Sequence, residues 1–172
     1  MSGVSNSMMD KVLLSAVTKK YVTSFHQCVA EVARERKYLA IVEPPDVEVL
    51  YDAIESGVAK KLPITVGVSE GTVIGWCSIA RNQREGFWHS GILGIGVRQK
   101  FRCHGIGKRL LSETLTKAQD LGISRIELEV FASNKVAVEF YQKQGFEVEG
   151  LKRKARFLDG SFDDTISMAV FV

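Results

Sequence analysis

The chain has 172 residues, 45% apolar and 25% charged, with 15 Gly and 3 Pro. That composition excludes a disordered or collagen-like chain and leaves room for a packed core. A net charge of +3 does not by itself point to nucleic acid, and no apolar run approaches the roughly 18 residues of a membrane helix.

The start, Met-Ser-Gly-Val-Ser-Asn-Ser-Met-Met-Asp, lacks the basic and apolar blocks of a signal peptide and reads as a loose arm over residues 1–10. Three widely spaced cysteines, Cys28, Cys77 and Cys103, argue against a disulfide scaffold and for a reducing, cytoplasmic setting. Neither His26/Cys28 nor Cys103-His104 has a second ligand pair at zinc-like spacing, so no metal is expected. With no repeat and no linker-like tract, the expectation is one domain over residues 1–172.

The elements follow in chain order. Val12-Leu13-Leu14 opens a short strand, and Val22, Phe25, Val29, Val32 and Ala33 fall on one face of a helix. Pro44-Pro45 breaks that pattern, and Asp46 caps a second helix with Val47, Leu50, Ile54 and Val58 inward. Ile64–Val68 and Thr72–Ala80 form a hairpin over the turn Glu70-Gly71, and Trp88–Val97 is a third extended run. Ile106, Leu110, Leu111, Leu115, Ala118 and Leu121 return to helical spacing, stopped by Gly122. Arg125–Val130 alternates as a strand, Asn134 caps a short helix closed by Gly145, and a last hairpin turns at Asp159-Gly160. Strands and helices that mix without strict alternation predict an α+β fold with a mixed sheet.

The informative segment is the strand-to-helix turn at residues 98–109. Gly105 and Gly107 let backbone amides approach a ligand where a helix presents unpaired N–H groups and its positive end, which suits a phosphate or pyrophosphate. Arg98, Lys100, Arg102, Lys108 and Arg109 surround it with no acid among them. The segment is not a Walker A loop, and Gly105-Ile106-Gly107 lacks the third glycine of a dinucleotide fingerprint.

What remains, Arg102-x-x-Gly105-x-Gly107, resembles the Gln/Arg-x-x-Gly-x-Gly/Ala acetyl-CoA motif of the GNAT acetyltransferase superfamily. Leu128-x-Val130-x-x-x-Asn134-x-x-Ala137-x-x-x-Tyr141-x-x-x-Gly145-Phe146 resembles the strand and helix that follow in that superfamily. The tail, through Gly150, Asp159-Gly160 and Met168, is similar to the branch of small-molecule amine, amino-acid and ribosomal-protein N-terminal acetyltransferases.

The resemblance implies a mostly antiparallel sheet of six to seven strands, helices on both faces, and a splayed parallel pair formed by Leu93–Val97 and Arg125–Val130. It implies acetyl-CoA as cosubstrate. Backbone at Ile95, Gly96 and Val97 would pair with the pantetheine arm, with the Val97 N–H as oxyanion donor. The amides of Arg102, Cys103, His104, Gly105, Ile106, Gly107 and Lys108 would hold the pyrophosphate. Asn134 and Ala137 would complete the cofactor site, and Tyr141 would also be the general acid. For the general base, Glu43 and His89 are both open, with Ser90 or a water chain behind them. The partners expected are acetyl-CoA and an amine acceptor, without nucleic acid or membrane, and a homodimer is left open. The competing reading is a CoA-binding regulatory module with little catalysis. Tyr38–Asp46, Asn82–Trp88 and the 157–162 turn are expected around the acceptor.

Overall fold

The computed structural model describes residues 11–59 and 62–172. The expected arm at 1–10 and the side chain of Val58 lie outside the described residues. In chain order the elements are β1 (Leu13–Ala16), α1 (Val22–Arg34), α2 (Val47–Ala59), β2 (Ile64–Ser69) and β3 (Thr72–Arg81). Then come β4 (Ser90–Val97), α3 (Ile106–Asp120), β5 (Arg125–Phe131), α4 (Lys135–Lys143), β6 (Glu147–Leu158) and β7 (Ser161–Phe171). The strands form one mixed sheet in the order β1-β2-β3-β4-β5-β7-β6. Its parallel pair is β4 with β5, through Ser90↔Arg125, Gly91↔Ile126 and Ile92↔Glu127.

The chain divides into two compact units, Met1–Ile79 with Gly94–Ala118, and Ala80–Leu93 with Gln119–Val172. In the first, the stripe Val22, Phe25, Val29 and Val32 of α1 packs with Ile54, Val66, Val68, Val73 and Trp76. Phe25 meets the Trp76 ring edge-on at 5.8 Å. The β2–β3 turn puts Glu70 at φ 49 and Gly71 at φ 77, the two left-handed residues that a tight hairpin requires. From α3, Ile106, Leu110, Leu111, Thr114 and Ala118 are buried.

In the second unit, Ile126, Leu128 and Val130 of β5 are buried, as are Phe146 and Met168. The side-chain oxygen of Asn134 accepts the Ala137 N–H at 3.2 Å, so the expected helix cap is present. The β6–β7 hairpin turns at Asp159 (φ 51) and Gly160 (φ 77), again as expected. Strand ends differ by one or two residues from expectation, and the extended run expected from Trp88 begins as β4 at Ser90, because the Phe87 carbonyl accepts both the Ser90 N–H and hydroxyl at 2.9 Å and bends the chain.

Candidate functional site

Within the first unit, the Arg98 N–H donates to the Ile74 carbonyl of β3 at 2.8 Å. Successive N–H groups leave a strand on alternate edges, so the Val97 N–H points off the edge of β4 away from β3. Gly96 is a glycine for a packing reason. A Cβ there would lie 2.3 Å from the Trp76 ring, whereas one at Gly94 would meet Ser78 Oγ at an ordinary 3.5 Å. Glycine at 96 therefore lets the indole cover the strand.

After Val97 the chain makes a one-turn 3-10 helix, Gln99–Phe101, closed by the Arg102 N–H on the Gln99 carbonyl at 3.2 Å. Cys103 (φ 63) and Gly105 (φ 78) are both left-handed. Left-handed residues turn neighbouring N–H groups toward one side, which makes Cys103–Lys108 a candidate cradle for an anion. The first bond into α3 runs from the Arg109 N–H to the Gly105 carbonyl at 3.1 Å. The N–H groups of Ile106, Gly107 and Lys108 are thus the orphan donors of a 15-residue helix with no acid in its first turn. A Cβ at Gly105 would meet open space. Of the amides expected around the pyrophosphate, that of Arg102 is used inside the 3-10 turn, and those of Ile106, Gly107 and Lys108 precede the first helix bond.

The side chains around the cradle are less free than their charges suggest. Arg98 donates to Glu31 at 2.7 Å and to the Ser24 carbonyl at 3.4 Å. Arg102 grips Glu35 through both terminal nitrogens, one at 2.8 Å, and its Nε donates to the Val97 carbonyl at 2.7 Å. The Tyr38 ring lies 4.7 Å from the Arg102 guanidinium. Burial opposes the Arg102 charge, yet the hydrogen bonds and charge of Glu35 outweigh it and hold the group above its ordinary value. Arg109 donates to the Val12 carbonyl at 2.9 Å. Lys100 and Lys108 are both exposed.

Glu31, Glu35 and Tyr38 were missed as partners of this turn. The matched four-residue spacing of Glu31/Glu35 and Arg98/Arg102 was the signal that could have found them.

Within the second unit, Tyr141 is half-buried on α4 between Phe140 and Phe146, with ring centroids at 5.3 and 5.6 Å. Packing on two sides fixes its ring. The His89 carbonyl accepts the Ser124 and Arg125 N–H groups at 2.8 and 3.0 Å, and the residue is exposed. Phe87 and Trp88 are exposed beside it, and the hairpin tip carries the exposed pair Phe157/Phe162 at 4.7 Å. In the first unit, Glu43 accepts from Arg34 at 3.0 Å with both side chains largely exposed. Ser90, also considered as a base, is buried with its hydroxyl donating to Phe87. Among the described residues no three His, Cys, Asp or Glu side chains cluster as a metal site.

Residues 28–146 match the Acetyltransferase (GNAT) family, and the chain belongs to that family. It is 33% identical over 105 residues to an L-amino acid N-acetyltransferase, AaaT, of Escherichia coli. That match covers 60% of this chain and 65% of the relative. It is 34% identical over 93 residues to the N-alpha-acetyltransferase RimI of Mycobacterium tuberculosis, covering 54% of this chain and 57% of the relative. The chain therefore spans less than two thirds of either relative. Its fold is that of a GNAT superfamily phosphinothricin acetyltransferase from Sinorhizobium meliloti solved with AcCoA, at a TM-score of 0.87 and 21% identity. That likeness covers 94% of this chain and 89% of the other.

Proposed function

We propose that the protein transfers the acetyl group of acetyl-CoA to a primary amine of a small molecule, an amino acid or a peptide N-terminus, by direct attack in a ternary complex. The observation that carries this is the row of orphan amides at Ile106–Lys108, after the left-handed Cys103 and Gly105, in a chain of the GNAT family. A pyrophosphate needs donors and a positive helix end, and that segment supplies both without a counter-ion.

The reaction is attack of a neutral amine on a thioester. An alkyl ammonium has a reference pKa near ~10.4, so a proton must leave the acceptor first. Glu43 and His89 are the assigned alternatives for that step; Glu43 is already spent in part on Arg34. In this reading the edge-facing Val97 N–H polarises the thioester carbonyl. Backbone at Ile95–Val97 runs along the pantetheine arm, and the Tyr141 hydroxyl protonates the departing thiolate. In this reading Asn134 and Ala137 complete the cofactor site from the start of α4, where the Asn134 side-chain oxygen accepts the Ala137 N–H.

The amino-acid and N-alpha acetylation in the two relatives' names supports an amine acceptor and leaves open a free amino acid or a peptide end. Charge gives nucleic acid no support, since Arg98 and Arg102 are paired to glutamates. No helix among the described residues is long and apolar enough to cross a membrane. A panel of amines, followed by release of CoA thiol and the mass of each product, tests the reading. Turnover with an acetylated amine is the expected result. Tight CoA binding with no turnover on any amine would favour the regulatory-module reading.

A further inference from the structure

Glu35 and Glu31 stand one helical turn apart at the end of α1, and Arg102 and Arg98 stand four residues apart on either side of the 3-10 turn Gln99–Phe101. The two sets meet in register, Glu31 with Arg98 and Glu35 with Arg102. The second pair is the stronger anchor. Both of its side chains are about three-quarters covered, at 26% and 23% exposure, whereas Glu31 is 54% exposed. Bidentate guanidinium–carboxylate contact also sets orientation as well as distance. The third arm of the same guanidinium, Nε, holds the Val97 carbonyl, the last residue of β4. Beyond the end of α1, Arg36 at φ 58 reverses the chain, and Tyr38 stacks on the guanidinium. Arg102 is therefore enclosed by Glu35, Val97 and Tyr38, and the left-handed Cys103 follows directly from it.

We propose that Glu35 is a positioning residue for the CoA pyrophosphate. It fixes Arg102, and through Arg102 it fixes the path from Val97 to Gly105 on which the amide cradle depends. Arg102, for its part, works by geometry and not as a phosphate counter-ion. The proposal rests on the reading of Cys103–Lys108 as the phosphate site.

Its sign is opposite to that of simple electrostatics. Removing a carboxylate near an anion site should by Coulomb's law tighten anion binding, and a freed arginine should tighten it further. If Glu35 instead preorganises the cradle, its loss makes binding bear the cost of ordering the loop, and affinity falls.

The test is calorimetric titration of CoA into the full chain, wild type against Glu35→Gln, Glu35→Asp and Arg102→Lys. Wild-type binding is the precondition, and its absence would overturn the phosphate-site reading itself. Glu35→Gln should raise Kd about tenfold and Glu35→Asp, which keeps the charge, clearly less. Arg102→Lys keeps the cation but loses the fork, and should weaken CoA about as much as Glu35→Gln. In steady state, the acetyl-CoA KM of Glu35→Gln should rise by more than kcat falls, a split that general loss of stability would not produce. Unchanged or tighter CoA binding by Glu35→Gln overturns the proposal. Should that variant not fold, wild-type affinity in Arg102→Lys overturns it equally.

Discussion

Tyr141 owes its fixed ring to Phe140 and Phe146, so removing only its hydroxyl leaves the packing of α4 in place. If that hydroxyl protonates the leaving thiolate, Tyr141→Phe should lower kcat roughly 10²–10³-fold with CoA affinity and thermal midpoint nearly unchanged. Full kcat across neutral pH would make the residue structural. At Gly96 the expectation is the reverse. Gly96→Ala forces a methyl against Trp76 and should cost about 1–3 kcal/mol of stability, while Gly94→Ala should be tolerated. Denaturant midpoints of the two variants compare them directly, and equal midpoints would contradict the packing account.

The cysteines give a pH prediction. Burial pushes the Cys28 thiol up to about 11, against a partial lowering by Arg98, and the Cys77 thiol up to about 12. Raised thiols contribute stability in full below the unfolded value of about 8.5, and that contribution is lost as pH rises through the folded values. The thermal midpoint should therefore fall between about pH 9 and 11, and less steeply in a Cys28→Ala, Cys77→Ala variant. In the native protein near neutral pH only the exposed Cys103 should take up a thiol reagent. Labelling of all three would contradict the burial.

Among the elements, what was legible in the sequence was what is decided locally. Glu70-Gly71 and Asp159-Gly160 predicted their hairpins because left-handed residues at a turn are a property of the residues themselves. Asn134 predicted its helix because its cap bond spans three residues. The glycine turn before α3 was legible for the same reason.

The hold on that turn was not. Glu31 and Glu35 reach arginines 67 residues away, and the matched four-residue spacing of the two pairs becomes a signal only once the two segments are known to meet. The five basic residues consequently read as a field for the ligand, whereas Arg98, Arg102 and Arg109 are committed to protein groups. Tyr38 shows the same effect. It reads as an acceptor-loop residue, yet its ring lies on Arg102. Tyr38→Ala should accordingly raise the acetyl-CoA KM, whereas Trp88→Ala, exposed in the second unit, should raise the acceptor KM alone. If Tyr38→Ala left the cofactor KM untouched, the stacking would have no bearing on the cradle.

For the whole molecule, the residue periodicities predicted the elements one by one, whereas the parallel pair was implied by the family resemblance and the strand order was read from neither. The division into two units was not legible, because the chain leaves the first at Ile79 and re-enters it at Gly94, inside two strands rather than at a linker. Each unit has its own measurable consequence. Substitutions at Cys103–Lys108, Glu35 and Arg102, in the first unit, should register in CoA affinity. Tyr141→Phe, in the second, should register in turnover.

The central claim is that the amides at the start of α3 take the phosphates of CoA, and Gly107→Asp is its sharpest probe. An acidic residue in the first turn favours the helix by its dipole, so the variant should fold at least as well as wild type. Its carboxylate would meanwhile occupy and repel at the amides that the phosphates need. Calorimetry with CoA should then show affinity reduced by about a hundredfold or more in a folded Gly107→Asp protein. CoA binding as tight as wild type in that folded variant would contradict the account.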